Sequence, residues 1–551
     1  MPMPRLGFFD GCAMIGRRRD SRPETICRAN EFLAEYEYYG ITAALVHHAE
    51  AVEGQPDPGN RRLLDEIARR PSLAPQWVVV PHGTGEMAHS DDLVPEMLEL
   101  GVRAARICPR THGFPLTDEV CAPLLGALQD RRMPLFVDLA ELSIEATAQL
   151  CSRYPELPVV LCGVGWNYGR RLLPALDRCP NLHIETHAFG GHRAYERIVA
   201  RFGAGRLIFG TGLPHCSPGA AVMMSLYGDI SDQDRAAIAG GNLLRLLEGV
   251  RAARPLPLRE IAPGAEREGD DAIVACLRAG EPLRDEFVFD AHGHIGHEGS
   301  MGTAEWCVPW TDADQLVRTM DRLGSDVSLV SSWGGLMLGD PEANDVTLSA
   351  IARHPGRLRG YGCINPRYPE TARQELERVF LSGRLHGYKP YPPRHRVPIL
   401  DLRHRPMLEW CDRQGLPVLC HGWMSGEQYV TPDDLDTLAP MYPNATFLAA
   451  HAGGCWEFAE ALVPVICRHR NVYAEVTYPD TSYGMIEYLV RELGADRVVF
   501  GSDGLLVDPA PQLGWVGWAR IPVEDKRKVL GRNMARVMGM QPHAPRHAAR
   551  E

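Results

Sequence analysis

Long apolar runs, paired cysteines and a strong excess of one charge are all missing from this 551-residue chain. No apolar stretch is long enough to span a bilayer, and residues 1–5 carry no signal-peptide pattern, so neither a membrane nor export is expected. The fifteen cysteines include no Cys-x-x-Cys pair. An odd number without framework spacing reads as buried thiols in a reducing, cytoplasmic compartment and excludes a disulfide scaffold or a zinc knuckle. A formal net charge of −12 is modest for this length and argues against nucleic acid as a partner. What is left is the composition of an ordinary globular protein, expected to act on a small molecule, as a single chain or a homo-oligomer.

The length exceeds what one hydrophobic core organises, so two domains are expected. In the first half, helical stretches at 24–39 and 63–70 precede short β-rich runs at 41–46 and 76–80. Further strands are expected at 6–16, 102–107, 134–137, 159–161, 182–185 and 206–209. Helices alternating with buried strands imply a parallel sheet with crossovers, and this number of strands fits a (β/α)₈ barrel of roughly 250 residues. Residues 251–284 turn Pro-rich and then charged, with one helical patch at Ala272–Arg278, as in an ordered linker.

The second half repeats the plan. A helix at 311–323 is followed by strands at 326–331, 358–365, 387–389, 417–420, 446–450, 472–476 and 497–500. The two halves also share wording. Phe202-Gly203-Ala204-Gly205-Arg206-Leu207-Ile208-Phe209-Gly210 mirrors Leu493-Gly494-Ala495-Asp496-Arg497-Val498-Val499-Phe500-Gly501, and Asn242 mirrors Asn533 near the two ends. Internal repetition at this period marks tandem copies of one unit. The expected fold class is therefore α/β: two tandem (β/α)₈ TIM-like barrels at 1–250 and 285–551, joined by 251–284.

The chemistry gathers in the second half. An apolar strand from Phe287 runs into Asp290-Ala291-His292-Gly293-His294, and alternate positions put both imidazoles on one face, where they could grip a divalent metal. His421 follows Leu416-Pro417-Val418-Leu419-Cys420, His451 follows Phe447-Leu448-Ala449-Ala450, and Asp503 follows Phe500-Gly501-Ser502. Each alone is compatible with a satisfied interior histidine or a turn aspartate. Strand C-terminal ends converge in a (β/α)₈ barrel, however, so the five side chains should meet.

The set Asp290-Ala291-His292-Gly293-His294, Gly387-Tyr388-Lys389-Pro390, His421-Gly422, His451-Ala452-Gly453-Gly454 and Gly501-Ser502-Asp503 resembles the amidohydrolase superfamily, in its amidohydrolase-related branch, over about residues 285–540. The resemblance implies that His292, His294, His421 and Asp503 hold one divalent metal, zinc in first place and manganese as the alternative. It gives His451 and Asp503 the catalytic proton transfers. Three imidazoles and a carboxylate suit Zn²⁺ and leave room for a water whose pKa falls towards ~7. Lys389 and Arg367, each at a strand end, are candidate substrate contacts, with a Lys389-bridged binuclear centre as a lesser alternative. Trp423, Tyr391 and Tyr478 are candidate pocket walls. His297, His386, His395 and His404 read as surface loop residues.

The expected activity is metal-dependent hydrolysis of an amide, lactone or ester, with metal-dependent nonoxidative decarboxylation of a small carboxylic acid as the alternative. A non-catalytic binding protein is the third class, disfavoured by the intact set. Matching the halves strand by strand sets Cys12 and Met14 against His292 and His294. Asp138 stands against His421, Gly163 against His451, Gly212 against Asp503 and Arg106 against Lys389. A carboxylate, a thiol and a thioether do not rebuild a nitrogen/oxygen site. The first barrel is thus expected to keep the strand plan without its metal set, and His187 and His215 near its strand ends are too few to define a relocated one.

Overall fold

The computed structural model of the chain describes residues 6–22, 25–253, 269–297, 299–340, 342–426, 428–477 and 481–542. It divides into two compact units, Met1–Gly269 and Asp270–Glu551. Residues 1–5, the charged stretch 266–268 and Tyr478 lie outside the description.

In the second unit eight parallel strands pair in chain order: Phe289–Ile295, Val327–Ser332, Leu358–Gly362, Gly387–Tyr388, Pro417–His421, Thr446–Ala450, Val472–Val476 and Val498–Phe500. The eighth returns to the first through main-chain bonds, Asp503 N donating to His292 O at 2.8 Å and Leu505 N to His294 O at 3.2 Å. The sheet is thereby closed, which leaves no unpaired strand edge. Phe289, Leu329, Tyr361, Leu419, Leu448 and Val499, drawn from most of the strands, form a buried apolar cluster with Met534. Each such side chain contributes roughly 1.5–3 kcal/mol by burial.

The first unit follows the same course. Phe8–Ile15, Ile41–His48 and Leu73–Pro75 pair in one sheet; Trp77–Val78, Ala105–Ile107, Leu135–Asp138, Val159–Cys162, Leu182–Glu185 and Leu207–Ile208 pair in a second. The break at Gln76 is local, since Gln76 N still donates to Val46 O at 2.8 Å. Gly11 N to Phe209 O at 2.8 Å and Gly212 N to Cys12 O at 3.0 Å join the last strand to the first.

The duplication extends to buried polar bonds. Asn242 Nδ2 donates to the carbonyls of Ala204 and Leu207, and Asn533 Nδ2 to those of Ala495 and Val498. Asn181 and Asn471 each donate to three carbonyls of the helix end and loop that precede the sixth strand. Asp10 accepts from Cys12 N and Thr211 N, both at 2.9 Å; Asp290 accepts from His292 N at 3.0 Å and Ser502 N at 2.9 Å. Buried donors and acceptors must be paired, so these side chains hold the strand ends of both copies in one geometry.

The helix Ala272–Arg278, expected within the connecting stretch, forms with the same bounds and packs inside the second unit. Asp271 caps it by accepting from Ile273 N and Val274 N, both at 3.0 Å. Ile273, Val274 and Leu277 are its buried face, and Leu277 occupies the space a side chain at Gly517 would need. No helix among the described residues is long and apolar enough to cross a membrane.

Candidate metal centre

His292 and His294 leave the first strand where its register slips between Asp290 and Gly293. Asp290 fixes that end, accepting from Ser328 Oγ at 3.0 Å and Ser502 Oγ at 2.7 Å besides the main-chain bonds above. Burial pushes its own carboxyl up to about 6. The His294 Nε2 lies 2.9 Å and the His292 Nε2 3.4 Å from Asp503 Oδ1. His292, His294 and Asp503 can each offer one atom within 4.8 Å of the others, the arrangement of a metal triad. All three are buried. Asp503 and His451 both have left-handed backbone, φ 57° and 65°, which non-glycine residues adopt at a cost and which aims their side chains into the centre.

The tautomers suit an ion. His292 Nδ1 lies 3.2 Å from Glu475 Oε2, and His294 Nδ1 3.0 Å from Ser331 Oγ. Both Nε2 atoms face Lys389 Nζ, at 2.5 and 3.3 Å, and so present lone pairs. Burial, then the Lys389 charge, holds His292 well below its ordinary pKa and His294 at about 3, so both rings are neutral. Burial opposes ionisation of Asp503, but the adjoining His292 and His294 outweigh it and hold that carboxyl well below the usual range. Neutral imidazoles and an ionised carboxylate are what a divalent metal requires. The donor set therefore fits the metal that the sequence implies.

The remaining predicted residues divide. His451 Nε2 meets His421 Nδ1 at 3.1 Å, while His451 Nδ1 lies 3.0 Å from the Thr477 carbonyl oxygen. His421 thus adjoins the triad through His451 and is outside the closest group of donors. Burial, then His451 and Lys389, holds its pKa well down. Lys389, 1% exposed, is lowered by burial to about 8 and sits among the histidines. Tyr391 stands 5.1 Å from the His421 ring, and Tyr429 stacks on it at 5.7 Å. Trp423 packs on Tyr429 and Phe458, one ring removed from the cluster. On the other side Trp333 meets His294 edge-on at 5.6 Å.

One residue stays outside the cluster, and one expectation needs correction. Arg367 is exposed, and among the described residues its side chain has no bond to the cluster; only its main chain is tied, to Asn365 Oδ1 at 3.1 Å. His395 and His404 are buried, not surface residues: His395 Nε2 lies 3.0 Å from the Gly335 carbonyl oxygen, and His404 Nδ1 2.7 Å from the Tyr388 hydroxyl. Both ring nitrogens of His404 and the Nε2 of His395 find partners there.

Glu475 was missed. It is the penultimate residue of the seventh strand, fully buried, with one oxygen facing His292 Nδ1 and accepting from His451 N, both at 3.2 Å; the other accepts from the Thr477 hydroxyl. Burial pushes it up to about 7. Its signal in the sequence was a lone carboxylate inside an apolar strand, kept in the other copy as Glu185. Gly501 and Gly210 repeat for the same reason: a Cβ at either would collide with that glutamate.

A family model described as amidohydrolase matches residues 22–248 and 335–540. The chain belongs to the amidohydrolase family. Both barrels fall within the match, although its second part begins past the His292/His294 strand. No curated protein matches the chain. Among solved structures it is similar to 5-carboxyvanillate decarboxylase from Sphingomonas paucimobilis, at 18% identity and TM-score 0.36, covering 46% of this chain and 99% of that one. A 2,6-dihydroxybenzoate decarboxylase from Rhizobium and an amidohydrolase described as putative from Staphylococcus aureus each match at 14% identity and TM-score 0.36, with the same coverage.

Proposed function

We propose that the second barrel is a metal-dependent nonoxidative decarboxylase of a small, ring-bearing carboxylic acid. The observation that carries this reading is Lys389: a buried amine whose Nζ lies between the two metal-type imidazoles and beside the centre's one firmly ionised carboxylate, Asp503. A divalent ion would be held by His292, His294 and Asp503 and would supply Lewis-acid chemistry there. With both Nε2 lone pairs engaged in that way, the Lys389 ammonium would be free to pair with a carboxylate. Ion and ammonium together exceed the charge of Asp503, which favours an anionic substrate. Tyr391, Tyr429 and Trp333 offer ring faces and edges beside it. Loss of CO₂ leaves the bonding pair on the ring carbon, which must take a proton, and the His451–His421 pair supplies one. This is also the reaction class named for the Sphingomonas and Rhizobium enzymes.

Hydrolysis, first in the sequence analysis, becomes the second reading. It is favoured by the same His451–His421 pair beside Asp503, which suits proton removal from water as well as delivery. The test is to incubate the full chain, supplied with zinc or manganese, with aromatic carboxylic acids and separately with lactones and esters. Stoichiometric CO₂, reduced at least 100-fold in Lys389→Met and in His451→Asn, is expected. A product heavier by one water and no CO₂ would replace the proposal with the hydrolase.

A further inference from the structure

The first barrel keeps a glutamate at the end of its seventh strand but loses the second barrel's two ligand histidines, its Asp503 and its His451. What the structure puts there is a different set of donors. Cys12, Glu185 and His187 can each offer one atom within 4.8 Å of the others. Glu185 Oε2 lies 2.5 Å from His187 Nδ1, and Glu185 Oε1 accepts from His187 N at 2.7 Å. The ring is thus held from one side, and its Nε2 is left for the barrel mouth. A Cβ at Gly212, the Asp503 counterpart, would come within 2.8 Å of the His187 ring. The aspartate position has been emptied of its side chain, and an imidazole from the neighbouring strand fills the space.

One thiol, Cys12, meets this imidazole, and a second, Cys162, lies against Cys12. Cys12 stands at the His292 position and interacts with both His187 and Cys162. Cys162, at the end of the sixth strand, accepts from Arg106 Nη2 at 3.7 Å. Arg106 is itself buried and fixed by Gln76 Oε1 at 2.9 Å.

We propose that this mouth is a second metal site, of soft character, in which the Cys12 and Cys162 thiolates and His187 Nε2 hold a thiophilic divalent ion such as zinc, with Glu185 orienting His187. A carboxylate behind a ligating imidazole is the common outer partner of a metal histidine. Sulfur donors select zinc or cadmium over manganese and magnesium, opposite in preference to the oxygen and nitrogen set of the second barrel. The charges also balance: two thiolates and one carboxylate face one guanidinium and one divalent ion. A buried site of net zero charge avoids the cost of isolated ions. Arg106, where the second barrel has Lys389, serves here as a hydrogen-bond donor to a ligand sulfur.

The test is a Cd²⁺ titration of the metal-stripped full chain, read by thiolate-to-cadmium ultraviolet absorbance, a band that the thiol-free donor set of the second barrel cannot give. The wild type should show a rise saturating at one equivalent above the background of the exposed Cys307 and Cys467. Cys12→Ser and Cys162→Ser should each remove about half of it, and His187→Gln should weaken its affinity at least 10-fold. His292→Ala with His294→Ala should leave it in place. Circular dichroism identifies any variant that fails to fold; the remaining variants and the wild-type titration then decide. No saturating rise in the wild type, or a rise of equal size and affinity in the folded Cys12→Ser, Cys162→Ser and His187→Gln proteins, would overturn the proposal.

Discussion

Glu475 shows how one buried residue sets the state of a site it need not touch as a ligand. Facing His292 Nδ1, it turns Nε2 towards Asp503, and the main-chain bond to His451 ties a second functional ring to the same carboxylate. Glu475→Gln keeps the shape but can present its amide to His292, disturbing the tautomer. Metal affinity should fall by 10–100-fold, measured by chelator competition, with little change in thermal stability. An unchanged affinity would remove Glu475 from the centre. His404 makes a separate prediction. Burial lowers it to about 4, with both ring nitrogens satisfied. The unfolded chain binds a proton near pH 6.5 and the folded one does not until about 4, so stability present above 6.5 is lost as pH falls through that window. The slope is about 1.4 kcal/mol per pH unit for one such group. Denaturant melts of His404→Gln should show a shallower decline between pH 6.5 and 4 than the parent, and an equal decline would contradict the assignment.

At the scale of elements, most strands were legible because each is a short apolar run between helices, and 446–450, 472–476 and 182–185 fall within the same bounds in the structure. The third strand of the first barrel was not: it breaks at Gln76, whose side chain turns to Arg106, a contact no local pattern reveals. The convergence of His292, His294 and Asp503 followed from strand ends and barrel topology. Arg367 lies on the loop beyond its strand and is exposed, so strand ends alone do not place its side chain. The repeated asparagines were visible as a motif while their bonding was not. Asn533→Ala should strip two buried carbonyls of their donor and cost about 2–4 kcal/mol, lowering the unfolding midpoint; Asn242→Ala should do the same in the first barrel. Leu277→Ala, on the helix that fills the space beside Gly517, should cost about 2–5 kcal/mol in the same melts. No shift in its melt would mean that this helix is not part of the second unit's core.

For the whole molecule, two barrels of one amidohydrolase plan carry different donors at matching strand ends. The second has imidazoles and a carboxylate around Lys389; the first has thiols and a relocated imidazole beside Arg106. The strand plan survives because it rests on main-chain bonds and on buried asparagine and aspartate contacts, and these are repeated in both copies. The side chains at the mouth are free to diverge, which is why the sequence located the shared architecture more readily than the first barrel's chemistry. The central claim is that His292, His294 and Asp503 form a metal centre. It is tested most directly by plasma mass spectrometry of metal content in the full chain and in Asp503→Ala, both purified with added zinc and manganese. The variant should contain one divalent ion fewer per chain than the parent, with its circular dichroism unchanged. Equal content in the two proteins would contradict the centre and the mechanism built on it.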